Sequence, residues 1–317
     1  MAVYVDDLIV MTPSKESMSK AKEQLLGSFK SKDLGEISYV LGIRLIRDRI
    51  NRTIHMDQSA LINKYLETFK ITTAASTPGF WKTLSQNAYD HVIPLSRAEI
   101  QSRIGALLHI GIHTRPDILQ SVNKVSRQLH NITTKTTVDV DRIFQYLKGT
   151  SSKGILLDGT DISVIRAFAD ADWAGTKSDR KSTSGCITFL GKSPICWSSK
   201  SQQSVSLSTM ESELIASTAV CQDALWLRNL LSQLIPDNNV KIILFSDNLP
   251  SLKYSSNLAN DSMARHISLR YHFVRLLNDA NELSLTHVKG KENPADLLTK
   301  ALGPHILDQL LRIARIL

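Results

Sequence analysis

Asp170, Glu213, Asp247 and Asp296 lie far apart in the second half of the sequence, each at the edge of an apolar stretch. Four carboxylates brought to one point would hold two divalent ions, the arrangement that cleaves phosphodiesters. Carboxylate and water ligands suit Mg²⁺ or Mn²⁺ and disfavour zinc. His287, near Asp296 in sequence, is suited either to ferrying protons and helping product leave or simply to ending a strand. Lys200, Arg265, His266, Arg270 and Arg275 could wall a nucleic-acid backbone, or could be ordinary surface charges on helices. A second carboxylate pair, Asp6 and Asp7 in Tyr4-Val5-Asp6-Asp7, also points to nucleic-acid chemistry.

The elements that must position these groups are legible in part. Val3–Val10 reads as a hairpin with Asp6-Asp7 at its tip. Ser14 opens a helix in which Met18, Ala21, Leu25 and Phe29 recur at intervals of three or four. Ile37–Arg47 reads as one strand containing Gly42, Thr53–Met56 as another, and Ser59–Phe69 as an amphipathic helix. Periodicity lapses from Ile71 to Pro94, a linker. Helical spacing returns from Arg97 to Leu147, with Pro116 at a helix start, and Gly149–Gly159 marks a second boundary.

Beyond it the pattern changes. Arg166–Asp172 alternates, so Phe168, Asp170 and Asp172 share a strand face. Cys186–Leu190 and Ile195–Ser199 flank Gly191-Lys192-Ser193-Pro194 as a hairpin. Ser208 and Glu211 form a capping box for a helix reaching Leu234. Lys241–Phe245 is a strand ending at Ser246-Asp247-Asn248, Met263–Leu277 a helix, Glu282–Val288 a strand, and Pro294–Leu302 a last helix. The expected product is a mixed sheet with helices on both faces. Glu211 already has capping work, which favours Glu213 as the ligand. Asp172 could replace Asp170, and spacing leaves that choice open.

The 317 residues suffice for more than one domain, and 42% hydrophobic with 21% charged residues is an ordinary globular balance. A net charge of +8 favours a polyanionic partner, although a soluble basic surface would look the same. Cys186, Cys196 and Cys221 are odd in number and lack C-x-x-C spacing, which argues against a disulfide framework or zinc ribbon. No apolar run approaches the roughly 20 residues of a membrane span. A soluble intracellular protein is expected.

With these residues in place, the chain resembles the Pol polyprotein of copia-type LTR retrotransposons, from the reverse transcriptase's catalytic hairpin through its RNase H domain, over about Val3 to Leu302. The resemblance is carried by Tyr4-Val5-Asp6-Asp7, Tyr39-Val40-Leu41-Gly42-Ile43, Thr114-Arg115-Pro116-Asp117-Ile118, Tyr146-Leu147-Lys148-Gly149-Thr150 and Asp170-Ala171-Asp172-Trp173-Ala174-Gly175. Later signatures are Trp197-Ser198-Ser199-Lys200, Glu211-Ser212-Glu213-Leu214, Ser246-Asp247-Asn248, His266 through Val274, and Ala295-Asp296-Leu297-Leu298-Thr299-Lys300.

The resemblance implies a fold of α/β and α+β parts. Residues 1–75 would be a truncated reverse transcriptase palm, 76–158 thumb and connection helices, and 159–317 an RNase H-like domain with a mixed five-stranded sheet. It implies metal ligation by Asp170, Glu213, Asp247 and Asp296, two Mg²⁺ or Mn²⁺ ions, and cleavage of the RNA strand of RNA–DNA hybrids. Such a chain is expected in the cytoplasm, in a retrotransposon particle, and in the nucleus. Asp6 and Asp7 would be the palm metal pair, but the family's further palm Asp would lie before Met1. No polymerase activity is therefore expected of this chain alone. Two other classes stay open: a catalytically silent nucleic-acid-binding relic, and part of a working RNA-directed DNA polymerase if the rest of Pol supplies the missing palm.

Overall fold

The computed structural model describes residues 1–82, 89, 92–173, 175, 180–235, 239–247 and 265–317, with the side chains of 265–269 and 271 excepted. Asn248, Ala174, Met263, the side chains of Arg265 and His266, and part of the expected 71–94 linker therefore fall outside the described residues.

The N-terminal hairpin forms as expected. β1 (Ala2–Tyr4) and β2 (Asp7–Ile9) pair antiparallel, with Tyr4 opposite Asp7. α1 (Lys15–Ser28) is capped by Ser14, whose hydroxyl accepts from the Ser17 amide at 3.1 Å, yet its apolar stripe buries no residue. The expected single strand Ile37–Arg47 is instead a hairpin, β3 (Tyr39–Val40) and β4 (Ile43–Asp48). Val40 pairs with Ile43, and the two loop residues Leu41 and Gly42 have φ of 52° and 78°. Two consecutive left-handed residues match the right-handed twist of flanking strands, which is why the chain reverses there.

β5 (Thr53–Asp57) continues this sheet, and α2 (Ser59–Thr68) follows. Three helices come next: α3 (Arg97–His113), α4 (Leu119–Ser126) and α5 (Thr134–Gly149). Ser96 and Glu99 cap α3 reciprocally, and Pro116 opens a 3₁₀ turn, Pro116–Ile118, leading into α4. The stretch Gly149–Gly159 is not bare connection. It holds β6 (Ile155–Asp158), which closes a four-stranded antiparallel sheet in the order β3-β4-β5-β6. A four-residue strand is too short to show a period.

A five-stranded mixed sheet occupies the C-terminal half, with β7 (Val164–Asp172), β8 (Thr183–Leu190), β9 (Ser193–Ser201), β10 (Lys241–Ser246) and β11 (Ser284–His287). Their order is β11-β10-β7-β8-β9, with β7, β8 and β9 antiparallel and β10 parallel to both β7 and β11. Alternation along β7 sends Ile165, Ala167 and Ala169 into a core with α6 (Thr209–Leu234) and α7 (Arg265–Asp279). Phe168 points to the opposite face, into a second core shared with α2 to α5. Both faces are thus covered, and the helices preceding the sheet form one of the covers.

Pro294–Leu298 is a 3₁₀ turn, not the start of a long helix. Asn293 caps it, and the final helix, α8 (Pro304–Ile313), begins only after Gly303 with proline at its first position. Leu307, Leu310 and Leu311, at helical spacing, bury α8 against the second core. No described helix is long and apolar enough to cross a membrane. All three cysteines are free.

Candidate metal centre

Parallel pairing sets the site. Phe245 of β10 lies beside Phe168 of β7, so Asp247, two residues on, comes level with Asp170. Glu213 projects from the second turn of α6, whose start is fixed by the Ser208 hydroxyl accepting from the Glu211 amide at 3.1 Å. The Glu211 carboxylate accepts from the Leu207 amide at 2.7 Å, which commits it to the helix entry and leaves Glu213 for the cleft. One oxygen each of Asp170, Glu213 and Asp247 lie within 4.8 Å of one another.

Asp296 approaches from the 3₁₀ turn. Gly185, directly opposite Asp170 on β8, makes that approach possible. A Cβ there would stand 2.7 Å from Thr299 Cγ2 and 2.8 Å from the Ala295 carbonyl oxygen. Asn293 ties the turn down by donating from Nδ2 to the Ala169 carbonyl at 2.9 Å. Lys300, one helical turn past Asp296, places Nζ 2.8 Å from Asp296 Oδ2 and 3.8 Å from Asp170 Oδ2. The Thr299 hydroxyl also donates to Asp170 Oδ2.

The cluster is electrostatically strained. Burial, and then the charges of Asp170 and Asp247, push the Glu213 carboxyl up to about 8. Burial and Asp170 raise Asp296 to about 7 against the pull of Lys300. Burial and Asp170 likewise raise Asp247, with His287 among the charges opposing the shift. Burial alone would lower Lys300, but Asp170 and Asp296 hold it above its ordinary value. Glu213 Oε1 accepts from the Ala171 amide at 3.3 Å, whereas Glu213 Oε2 and Asp296 Oδ1 are buried with no donor among the described residues. Buried carboxylate oxygens without donors are costly unless a cation meets them. An all-oxygen donor set with two orphaned oxygens fits a hard divalent ion such as Mg²⁺ or Mn²⁺.

Asp172, the other occupant of that strand face, is half-buried and raised by burial and then by Asp170. The charges opposing this rise are Lys300, Arg127 and Lys124, the last two on or just after α4. Helix α4 is fastened to the sheet beside the cluster. Arg127 Nη2 donates to Thr183 Oγ1 at 3.1 Å, and Asn123 Nδ2 donates to the Ser199 carbonyl. Sequence reasoning missed Lys300, Lys124 and Arg127 as site residues. For Lys300 a signal existed, its i+4 spacing from Asp296. For the α4 pair none did, because only the docking of α4 brings them near.

The other sequence candidates are scattered. His287 is exposed at the end of β11, paired with Ser246 and so next to Asp247. Lys200 is exposed on β9, and its charge acts on Asp223 of α6. Arg275 pairs with Asp279 on its own helix at 3.3 Å, and Arg270 is half-buried on α7. The side chains of Arg265 and His266 are not described. Asp6 and Asp7 are exposed in the β1–β2 hairpin, and no ion-holding group of three ligands among the described residues includes them.

Comparison with known proteins bears on the whole chain. A family model described as reverse transcriptase (RNA-dependent DNA polymerase) matches residues 1–79. The retrovirus-related Pol polyprotein from transposon TNT 1-94 of Nicotiana tabacum is 31% identical over 309 residues, covering 95% of this chain and 23% of that protein. The corresponding polyprotein from transposon RE1 of Arabidopsis thaliana is 32% identical over 304 residues, covering 96% of this chain and 20% of the relative. The chain therefore spans about a fifth of the length of these relatives. Among solved structures, RNase H1 from the halophilic archaeon Halobacterium salinarum aligns at TM-score 0.31 and 18% identity, over 46% of this chain and 98% of that one. From the hairpin at Tyr4 to the acids around Asp296, this chain belongs to the retrovirus-related Pol polyproteins of copia-type transposons.

Proposed function

We propose that the C-terminal region, residues 159–317, is a divalent-metal-dependent ribonuclease H that cuts the RNA strand of RNA–DNA hybrids. In this reading residues 1–75 are the catalytic-hairpin part of a reverse transcriptase palm and 76–158 its thumb and connection helices. The observation that carries the reading is the convergence of Asp170, Glu213 and Asp247 to within 4.8 Å around an orphaned Glu213 oxygen.

Asp170, Glu213, Asp247 and Asp296 would hold the metal. When bound, a pair of Mg²⁺ or Mn²⁺ ions supplies the Lewis acidity that activates an attacking water and stabilises a departing 3′ oxygen. The chain's own residues set the stage for that chemistry. Asn293 and Thr299 fix the Asp296 turn against β7. Exposed His287, beside Asp247, is placed to carry protons between the cleft and bulk water. Hybrid selection would rest on backbone shape and 2′-hydroxyls, not on base sequence.

The direct test is incubation of the chain with Mg²⁺ and three labelled duplexes. Cleavage of the RNA strand of the hybrid, with DNA–DNA and RNA–RNA duplexes spared and EDTA inhibitory, is the expected result. Hybrid retention with no Mg²⁺-dependent cut would instead mark a silent binding relic.

Lys124 and Arg127 are expected to grip substrate phosphates beside the acids. Lys124→Glu with Arg127→Glu, in an Asp247→Asn background to prevent turnover, should weaken hybrid binding for all sequences alike. The slope of log K against log salt should fall by about one for each phosphate that is no longer neutralised. An unchanged slope in anisotropy titrations would place both residues outside the substrate path.

The raised carboxyls also make a stability prediction. Glu213 rises from 4.5 to about 8 and Asp296 from 3.8 to about 7, so the folded metal-free chain holds more protons than the unfolded one between those limits. Its stability is therefore full at the acidic end and falls as pH climbs from about 4 to about 8. In EDTA, Tm should be higher at pH 5.5 than at pH 8.5, and Glu213→Gln should flatten that dependence. Added Mg²⁺ should raise Tm most at the alkaline end. A pH profile identical in Glu213→Gln would remove Glu213 as its source.

A further inference from the structure

Lys300 is an unusual neighbour for a metal centre. It carries a positive charge into the acidic cluster that is felt by all its acids, but its ion-pair contacts lie on one side, at Asp170 and Asp296. Its Nζ reaches Asp296 Oδ2 at 2.8 Å and Asp170 Oδ2 at 3.8 Å, while Asp170, Glu213 and Asp247 form the three-ligand group without Asp296. The cluster thus has two unlike halves. One, between Asp170, Glu213 and Asp247, has an orphaned Glu213 oxygen, and among the described residues no ammonium is ion-paired with Glu213 or Asp247. The other, between Asp170 and Asp296, already holds a cation, yet leaves Asp296 Oδ1 without a donor.

We propose that Lys300 is a tethered cation guarding the Asp170–Asp296 half, so that the chain without nucleic acid takes one divalent ion and admits a second only when a substrate phosphate arrives. This rests on the ribonuclease H reading of the metal centre. Charge balance supports the order of events. Four carboxylates against one divalent ion and one ammonium leave a single net negative charge. A second divalent ion would overshoot to a net positive charge of the same size, in a site too buried for water to screen it well. A phosphate bringing one negative charge removes that penalty.

Geometry allows the movement. The Lys300 side chain is 44% exposed, and a lysine stem has four rotatable carbons with which to swing Nζ toward a bound backbone. Asp296 Oδ1 is the oxygen left over for the incoming ion. Ion loading is thereby coupled to substrate binding, a device that keeps a hydrolytic centre incomplete until its polymer is in place.

The test is metal stoichiometry on the intact chain without nucleic acid. Mn²⁺ titration followed by electron paramagnetic resonance, paralleled by calorimetry with Mg²⁺, reads it directly. Wild type and Lys300→Arg, which keeps the charge, should bind one ion. Lys300→Met should bind two, with the broadened spectrum of coupled Mn²⁺ spins. Lys300→Gln should match Lys300→Met, which keeps the test decisive if one variant folds poorly. Two ions in the wild type, or one in both neutral variants, would overturn the proposal while leaving the metal centre standing. No ion in the wild type would sink the metal centre itself and this inference with it.

Discussion

Asp247→Asn should reduce hybrid cleavage about 10³-fold or more while leaving the fold intact. Asp247 is one of three carboxylates within 4.8 Å, and it is a half-buried residue at a strand end, not a core side chain. The amide is isosteric, so packing is preserved, but the anionic donor is gone. A metal centre contributes several kcal/mol of transition-state stabilisation, and each 1.4 kcal/mol is about a factor of ten in rate. Removing a like charge should also relieve Glu213, whose upward shift Asp247 helps to cause. The metal-free variant should therefore be slightly more stable than wild type near pH 8 even as it loses activity. Single-turnover cleavage on a hybrid, with thermal melts in EDTA, measures both. Equal rates for variant and wild type would end the nuclease assignment.

Arg115→Leu should destabilise the chain by about 3–5 kcal/mol, because it strands a buried carboxylate. Arg115 is fully buried and Asp117 2% exposed. The guanidinium donates from Nε to Asp117 Oδ1 at 3.0 Å and from Nη2 to Asp117 Oδ2 at 2.8 Å. Nη1 donates to the Thr150 carbonyl at 2.8 Å, and the Tyr146 hydroxyl donates to Asp117 Oδ2 at 2.6 Å. These bonds tie the start of α4 to the end of α5. Truncating the arginine leaves Asp117 charged and short of donors. Truncating both partners should cost much less than the sum of the single changes, since no lone charge remains. Urea melts of Arg115→Leu, Asp117→Leu and the double variant test this. Additive destabilisation would mean that the pair is not coupled.

The same network shows what a sequence motif can hide. Thr114-Arg115-Pro116-Asp117-Ile118 and Tyr146 through Thr150 are separate signatures in the chain, and nothing in either reveals that they bond to one another. Their meeting depends on how α5 packs back across α3 and α4.

The sequence by itself determined the local elements wherever a period or a cap was strong. The Ser208 entry of α6, the Gly191 hairpin, the alternation of β7 and the proline-opened turn before α4 all depend on residues a few positions apart, so short-range sterics and hydrogen bonding specify them. It also picked out Asp170, Glu213, Asp247 and Asp296 as candidates at the edges of apolar stretches, while spacing left Asp172 as a substitute for Asp170. Among the short elements β3, β6 and the 3₁₀ form of the Asp296 turn escaped, whereas the three-residue β1 and β2 were legible from the apolar arms around Asp6-Asp7.

Only the tertiary structure decided which acids meet. The register of β10 on β7 brings Asp247 level with Asp170, the bare face of Gly185 admits the Asp296 turn, and the docking of α4 sets Lys124 and Arg127 near Asp172. It also put Lys300 between Asp170 and Asp296, and left the Asp6-Asp7 hairpin exposed. These arrangements join segments tens of residues apart. They follow from which apolar faces bury one another, and that is a property of the whole chain, not of any stretch of it.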